Sequence, residues 1–155
     1  MTPRAVFDCT VFLQGAARPA GPAAACLRLV DDGQVTLCIS AEILAELRDV
    51  LSRPKTQRRF PGLSADWVKS FVSNVELKGL LFGEVPHAVA LERDPKDEPY
   101  INLAIAAGVK YLVTRDLDLL DLMKDDSFRQ RFPALLILEP PAFLREFAPR
   151  TPPVS

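Results

Sequence analysis

A chain of 155 residues, 48% apolar and 25% charged, has the length and balance of one globular domain. At that length it buries about two-thirds of the surface its unfolded form exposes. A net charge of −1 supplies no global field to attract nucleic acid or an anionic membrane, so a nucleic-acid partner requires a local basic patch.

In chain order, residues 4–8 read as a strand and 12–17 as a short irregular or helical turn. Pro19, Gly21 and Pro22 then precede an Ala-rich helix over 23–31, stopped by Gly33. Residues 35–39 form a second short apolar run of strand type. Ser40 stands where a helix N-cap belongs, with Glu42 in the first turn, and Ile43, Leu44, Leu47, Val50 and Leu51 follow as one helical stripe. Pro54 ends this helix or opens the next.

A helix over 64–75 is capped by Ser64 and carries Trp67, Val68, Phe71 and Val72, read as core or interface positions. Residues 77–85 read as a strand despite Gly79 and Gly83. The polar segment 92–99 leads into a helix over 100–107 ended by Gly108. Residues 110–114 are a second buried strand, 116–123 a short helix and 135–138 a last strand. Pro140 and Pro141 open a final helix through Phe147. Strands alternating with helices predict a three-layer α/β/α sandwich around a mostly parallel sheet. The expected organisation is a single domain over 1–148 with a disordered, Pro-rich tail over 149–155.

Cys9, Cys26 and Cys38 are odd in number and lack the paired spacing of a zinc site, as free thiols in a reducing compartment would. No apolar stretch approaches the ~20 residues of a membrane span, and nothing at the start reads as a signal peptide. The expected location is the cytoplasm, with no membrane partner.

The chemistry rests on acids. Asp8 follows Ala5-Val6-Phe7, and Asp116 follows Tyr111-Leu112-Val113-Thr114-Arg115, so each ends an apolar strand. In an open parallel sheet the carboxyl ends of strands are where ligands bind. Glu46 lies beside Ile43 and Val50 at the edge of the helical stripe, whereas Glu42 and Asp49 rotate further toward solvent. In Arg93-Asp94-Pro95-Lys96-Asp97-Glu98-Pro99, Asp97 is the natural N-cap of the next helix, and capping leaves its second oxygen available to a cation. Asp94 is read as shaping the loop, and Glu98 lies inside the first turn. Four oxygen ligands with no His or Cys partner favour Mg²⁺ or Mn²⁺ over zinc. Thr10 can offer a hydroxyl to a metal-bound water, and Asp118 either caps the short helix or serves as an outer ligand. For every acid the alternative role is an ordinary cap or a solvated charge.

The ordered set Asp8, Glu46, Asp97 and Thr114-x-Asp116 resembles the PIN domain family. The run from Asp94-Pro95-Lys96-Asp97-Glu98 through Ala104-x-x-x-Gly108 to Leu112-Val113-Thr114-Arg115-Asp116-x-Asp118 is similar to bacterial PIN proteins that act as toxins of toxin–antitoxin pairs. The resemblance covers about residues 4–145. It implies a metal-dependent endoribonuclease acting on single-stranded RNA. Asp8, Glu46, Asp97 and Asp116 would be its catalytic and metal-binding residues, and Thr10, Ser40, Thr114 and Asp118 would support them. It also implies an antitoxin partner and makes a homodimer plausible. Many relatives follow the first aspartate with Thr-Asn, where this chain has Cys9-Thr10. Arg53, Lys55, Arg58, Arg59 and Arg115 are the candidate RNA contacts, with ordinary surface charge as the alternative.

Two rival functions are open at this level. Asp8 after a strand also resembles the start of a haloacid-dehalogenase-type phosphatase, but that chemistry wants an aspartate where this chain has Thr10. A non-catalytic binding module with an acidic pocket is the other.

Overall fold

The computed structural model describes residues 2–148, so the proline-rich tail expected over 149–155 lies outside the described residues. The chain runs β1 (Arg4–Phe7), α1 (Cys9–Ala17), α2 (Pro22–Asp31), β2 (Thr36–Ser40), α3 (Ala41–Ser52), α4 (Pro54–Arg59), α5 (Ala65–Lys78) and β3 (Leu80–Phe82). It continues with a 3₁₀ turn (Pro95–Asp97), α6 (Glu98–Ala106), β4 (Tyr111–Val113), α7 (Leu117–Leu120), a second 3₁₀ turn (Asp121–Lys124), α8 (Asp126–Arg131), β5 (Leu136–Leu138) and α9 (Pro140–Glu146). The strands form one all-parallel sheet in the order β3-β2-β1-β4-β5.

Successive side chains of a strand point to opposite faces, and β1 shows the consequence. Ala5 and Phe7 enter one core with Phe12, Leu47, Tyr111 and Phe143, while Val6 enters the other with Ile43, Ile101 and Leu112. Phe143 of α9 meets Phe7 and Tyr111 edge-on, with ring centres 5.7 and 5.2 Å apart. Helices on both faces cover these strands, giving the three-layer sandwich expected from the alternation of elements.

Several local expectations change. Residues 12–17 belong to a full helix that starts at Cys9, because Asp8 accepts the Val11 amide at 3.0 Å and caps it. The strand expected over 77–85 shrinks to Leu80–Phe82, since α5 runs on to Lys78. The helix expected over 116–123 is one α turn followed by a 3₁₀ turn, and α8 was not anticipated. Gly108 ends α6 at φ +60°, a left-handed conformation that favours glycine.

Gly79 marks a different constraint. A Cβ there would lie 2.6 Å from Ile39 Cδ1 and 2.9 Å from the Val75 carbonyl oxygen, so α5 and β2 approach too closely for a side chain. Gly79→Ala is expected to destabilise the protein by about 1–3 kcal/mol through overpacking, read as a lower urea midpoint with an unchanged m-value.

Candidate metal centre

β1 occupies the middle of the sheet, with β2 on one side and β4 on the other. The chain therefore reverses its direction of winding between β1 and β4, and the crevice at their carboxyl ends is the ligand position of such sheets. Phe7 pairs with Val113, so the next residues, Asp8 and Thr114, emerge side by side. Both are buried, at 3% and 0% exposure. The Thr114 hydroxyl donates to Asp8 Oδ2 and accepts the Asp116 amide at 2.9 Å, so one side chain ties the two aspartates together. Asp116 Oδ1 in turn accepts the amides of Asp118 and Leu119 at 2.8 and 3.3 Å, capping α7.

Asp97 stands at the N-cap position of α6, yet its side chain makes no capping bond, contrary to the sequence expectation. The 3₁₀ turn before α6 removes that role. Asp94 accepts the Lys96 amide at 3.2 Å instead, and Asp97 is turned inward with Oδ2 buried and unpartnered. Oxygens of Asp94, Asp97 and Asp116 all lie within 4.8 Å of one another. Asp94, read from sequence as a loop-shaping residue, is thus a member of the cluster. An Asp-Pro turn at a parallel sheet's carboxyl edge was the available signal, but its direction is a tertiary property. Glu98 holds the preceding loop by accepting the Leu91 amide at 2.9 Å.

The electrostatics follow from crowding. Burial raises the Asp8 carboxyl to about 6, partly offset by the bonds from Thr114 and Val11, while Asp116 and Glu46 push it further up. Burial also raises Asp97, to about 8, reinforced by hydrogen bonding and charge from Asp116 and by the charges of Asp94 and Asp8. Glu46, half-buried on α3, is raised by burial, and Arg53 and Lys96 draw it back. It lies at the rim of the Asp8 end of the site. The buried Tyr100 phenol reaches the same corner, near Glu46 and Cys9, but outside standard hydrogen-bond geometry with either. Tyr100 carried no sequence signal beyond its apolar helix.

Other expected residues divide. Ser40, 4% exposed, accepts the Ile43 amide at 3.2 Å and caps the helix that bears Glu46. Thr10 is exposed at the start of α1, and the hydroxyl that supports Asp8 belongs to Thr114. Asp118 faces a cleft shared with Asp94. Arg53 pairs with Asp49 at 2.6 Å, while Lys55, Arg58 and Arg59 are exposed on α4. Trp67 and Phe71 stack at 5.0 Å and line an apolar groove between α1, α2 and α5 that no member of the cluster borders.

The residues fit a hard divalent cation. Such ions take oxygen ligands at about 2.0–2.6 Å, a span compatible with three carboxylates whose oxygens converge. An unpartnered buried carboxylate oxygen is otherwise costly. An all-parallel α/β/α sandwich with acids converging at its switch point defines the class of open-sheet folds whose ligand site lies at the strands' carboxyl ends. The PIN domain model matches residues 4–118. The chain belongs to the PIN domain family. Its structure is similar to a chain of VapBC2 from Rickettsia felis, solved bound to a DNA fragment from its promoter. That chain is 14% identical, with 88% of this chain and 98% of that chain covered and a TM-score of 0.53. At such identity the likeness concerns the fold. No curated protein matches this chain in sequence. Among the described residues no helix is long and apolar enough to cross a membrane.

Proposed function

We propose that the protein is a divalent-metal-dependent endoribonuclease that cleaves single-stranded RNA, acting in the cytoplasm as the toxin of a toxin–antitoxin pair. The observation that carries this reading is the convergence of Asp94, Asp97 and Asp116 oxygens within 4.8 Å of one another beside the β1–β4 switch point, with Asp97 Oδ2 buried and unpartnered. Asp97 and Asp116 would hold Mg²⁺ or Mn²⁺, with Asp94 and Asp8 adding to the negative field and Glu46 contributing from α3. When bound, such an ion would lower the pKa of a water and neutralise charge on phosphoryl oxygens. Thr114 keeps Asp8 and Asp116 in fixed orientation, so the acids need no rearrangement when the cation arrives. Ser40 does the same for α3 and hence for Glu46.

The antitoxin partner rests on the family resemblance and on the fold neighbour, and a homodimer would be a further expected assembly. PIN membership and the threonine at position 10 count against the haloacid-dehalogenase alternative. A non-catalytic acidic module is the reading to adopt if metal titration shows no binding and RNA stays intact.

Defined single-stranded RNAs incubated with Mn²⁺ or with EDTA, beside Asp8→Asn and Asp116→Asn, test the proposal. Cleavage only with metal and only by the unaltered chain is expected. Equal cleavage in EDTA would sink the metal mechanism.

A pH dependence follows. Asp97 retains a proton up to about pH 8 without metal, so the cation must displace it. Mn²⁺ affinity is expected to rise by up to about tenfold per pH unit between pH 6 and 8. Calorimetry in buffers of different ionisation enthalpy should show proton release on binding, and pH-independent affinity would remove Asp97 from the ligand set.

A further inference from the structure

We propose that the pocket between the end of α1, the start of α2 and Arg115 seats a backbone phosphate of single-stranded RNA beside the acidic cluster. The assignment rests on the nuclease reading above and adds a substrate-holding site to it. The pocket measures about 310 Å³ and is lined by Gln14, Arg18, Gly21, Pro22, Ala23 and Arg115. Two of these are cations and none is an acid. Among the described residues neither arginine forms an ion pair, in contrast to Arg48 and Arg53, which pair with Glu76 and Asp49.

Arg115 is the unusual member. Its Nε is buried and has no hydrogen-bond partner. A buried unsatisfied donor costs about 1–3 kcal/mol, more when charged. The residue that bears this cost stands directly ahead of Asp116 and lines a pocket that holds no acid. An anion in the pocket meets the terminal nitrogens of the same guanidinium, which make no hydrogen bond among the described residues. A guanidinium presents a planar fork that matches two phosphate oxygens, and Gln14, one turn before Arg18, adds a neutral donor. The first turn of α2 faces the same pocket with no side-chain cap, so its amides reinforce the preference for negative charge.

Position supports the same ligand. Arg115 immediately precedes Asp116, their Cα atoms about 3.8 Å apart, so the pocket adjoins the carboxyl end of β4 from which Asp116 follows. A strand whose scissile phosphate lies over Asp97 and Asp116 presents a neighbouring phosphate to this pocket. Arg18 is exposed at the pocket mouth and draws the strand in, whereas Arg115 grips it from below.

The test measures binding of a labelled ten-nucleotide single-stranded RNA to the full chain carrying Asp97→Asn, across a salt series. Arg18→Gln and Arg115→Lys are each expected to weaken binding by about 3–10-fold. Arg18→Gln with Arg115→Gln should lower the slope of log affinity against log salt by about 1.4, the value for two phosphate contacts on a single strand. Lys69→Gln with Arg129→Gln, exposed on α5 and α8, should change affinity less than about twofold. Arg18 is exposed, so its variant reports even if Arg115 variants misfold. Unchanged affinity and slope in Arg18→Gln, or no RNA binding at all, overturns the proposal. Tighter binding of poly-glutamate than of RNA overturns it in favour of an acidic protein segment. Mn²⁺-dependent cleavage by the unaltered chain is run in parallel. Cleavage with arginine-independent binding removes the subsite and keeps the nuclease. Arginine-dependent binding without cleavage keeps the pocket and removes the nuclease.

Discussion

Asp97→Asn is expected to raise the melting temperature of the metal-free protein at pH 8 while removing the stabilisation that Mn²⁺ gives the unaltered chain. The sign comes from linkage. An Asp in an unfolded chain titrates near 3.9, whereas burial and its acidic neighbours hold Asp97 at about 8 in the fold. The folded state therefore binds this proton more tightly than the unfolded one. Its contribution to stability is fully present below about pH 4 and is lost as pH rises through 8. Asparagine does not titrate, and its amide can donate to Asp116. The gain should therefore be near zero at pH 4 and about 1–3 kcal/mol at pH 8, or about 3–8 °C in melting temperature at this chain length. With saturating Mn²⁺ the order reverses, because only the carboxylate chain binds the ion well. A metal-free Asp97→Asn protein that melts lower at pH 8 would show that the carboxylate has a structural partner. Asp8, raised to about 6 mainly by burial, adds a second loss of stability of the same sign, over the narrower range from about pH 4 through 6.

Thr114→Val is expected to cost about 2–4 kcal/mol and to weaken Mn²⁺ binding, although it is nearly isosteric. The hydroxyl donates to Asp8 and accepts the Asp116 amide, and Thr114 is wholly buried. Valine would leave a buried carboxylate oxygen and a backbone N–H without partners, and unmade bonds cost more than made bonds return. Thr114→Ser keeps the hydroxyl and should recover most of both losses. Urea denaturation gives the stability, and Mn²⁺ titration by calorimetry gives the affinity. If valine were tolerated as well as serine in both measurements, the two aspartates would be held by something else. Thr114→Val combined with Asp8→Asn should be less damaging than the sum of the two changes, since the residues share one interaction.

Legibility in the sequence varied with the range of the forces involved. The helix over Ala41–Ser52 was readable because Ser40, Glu42 and the stripe of Ile43, Leu44, Leu47 and Leu51 all act within a few turns. β1 and β4 were readable because an unbroken apolar run is what a strand covered on both faces requires. β3 was readable in type but not in extent, because Leu77 and Lys78 extend α5 and leave only three residues for the edge strand. The helix from Cys9 is longer than the turn expected over 12–17 because Asp8, for which capping is one of two readings, accepts the Val11 amide through one oxygen while the other meets Thr114.

The sequence by itself determined the alternation of elements, the two strands that end in acids and the resemblance that names the family. Only the tertiary structure decided how those acids meet. It brought Asp94 into the cluster with Asp97 and Asp116, left Glu46 at the rim, and gave the work of orientation to Thr114 rather than Thr10. The physical reason is that strand and helix patterns are set by neighbours within a few residues. The convergence of carboxylates is set instead by the register of β1 against β4 and by a 3₁₀ turn that swings Asp97 inward, and neither leaves a periodic trace in the chain.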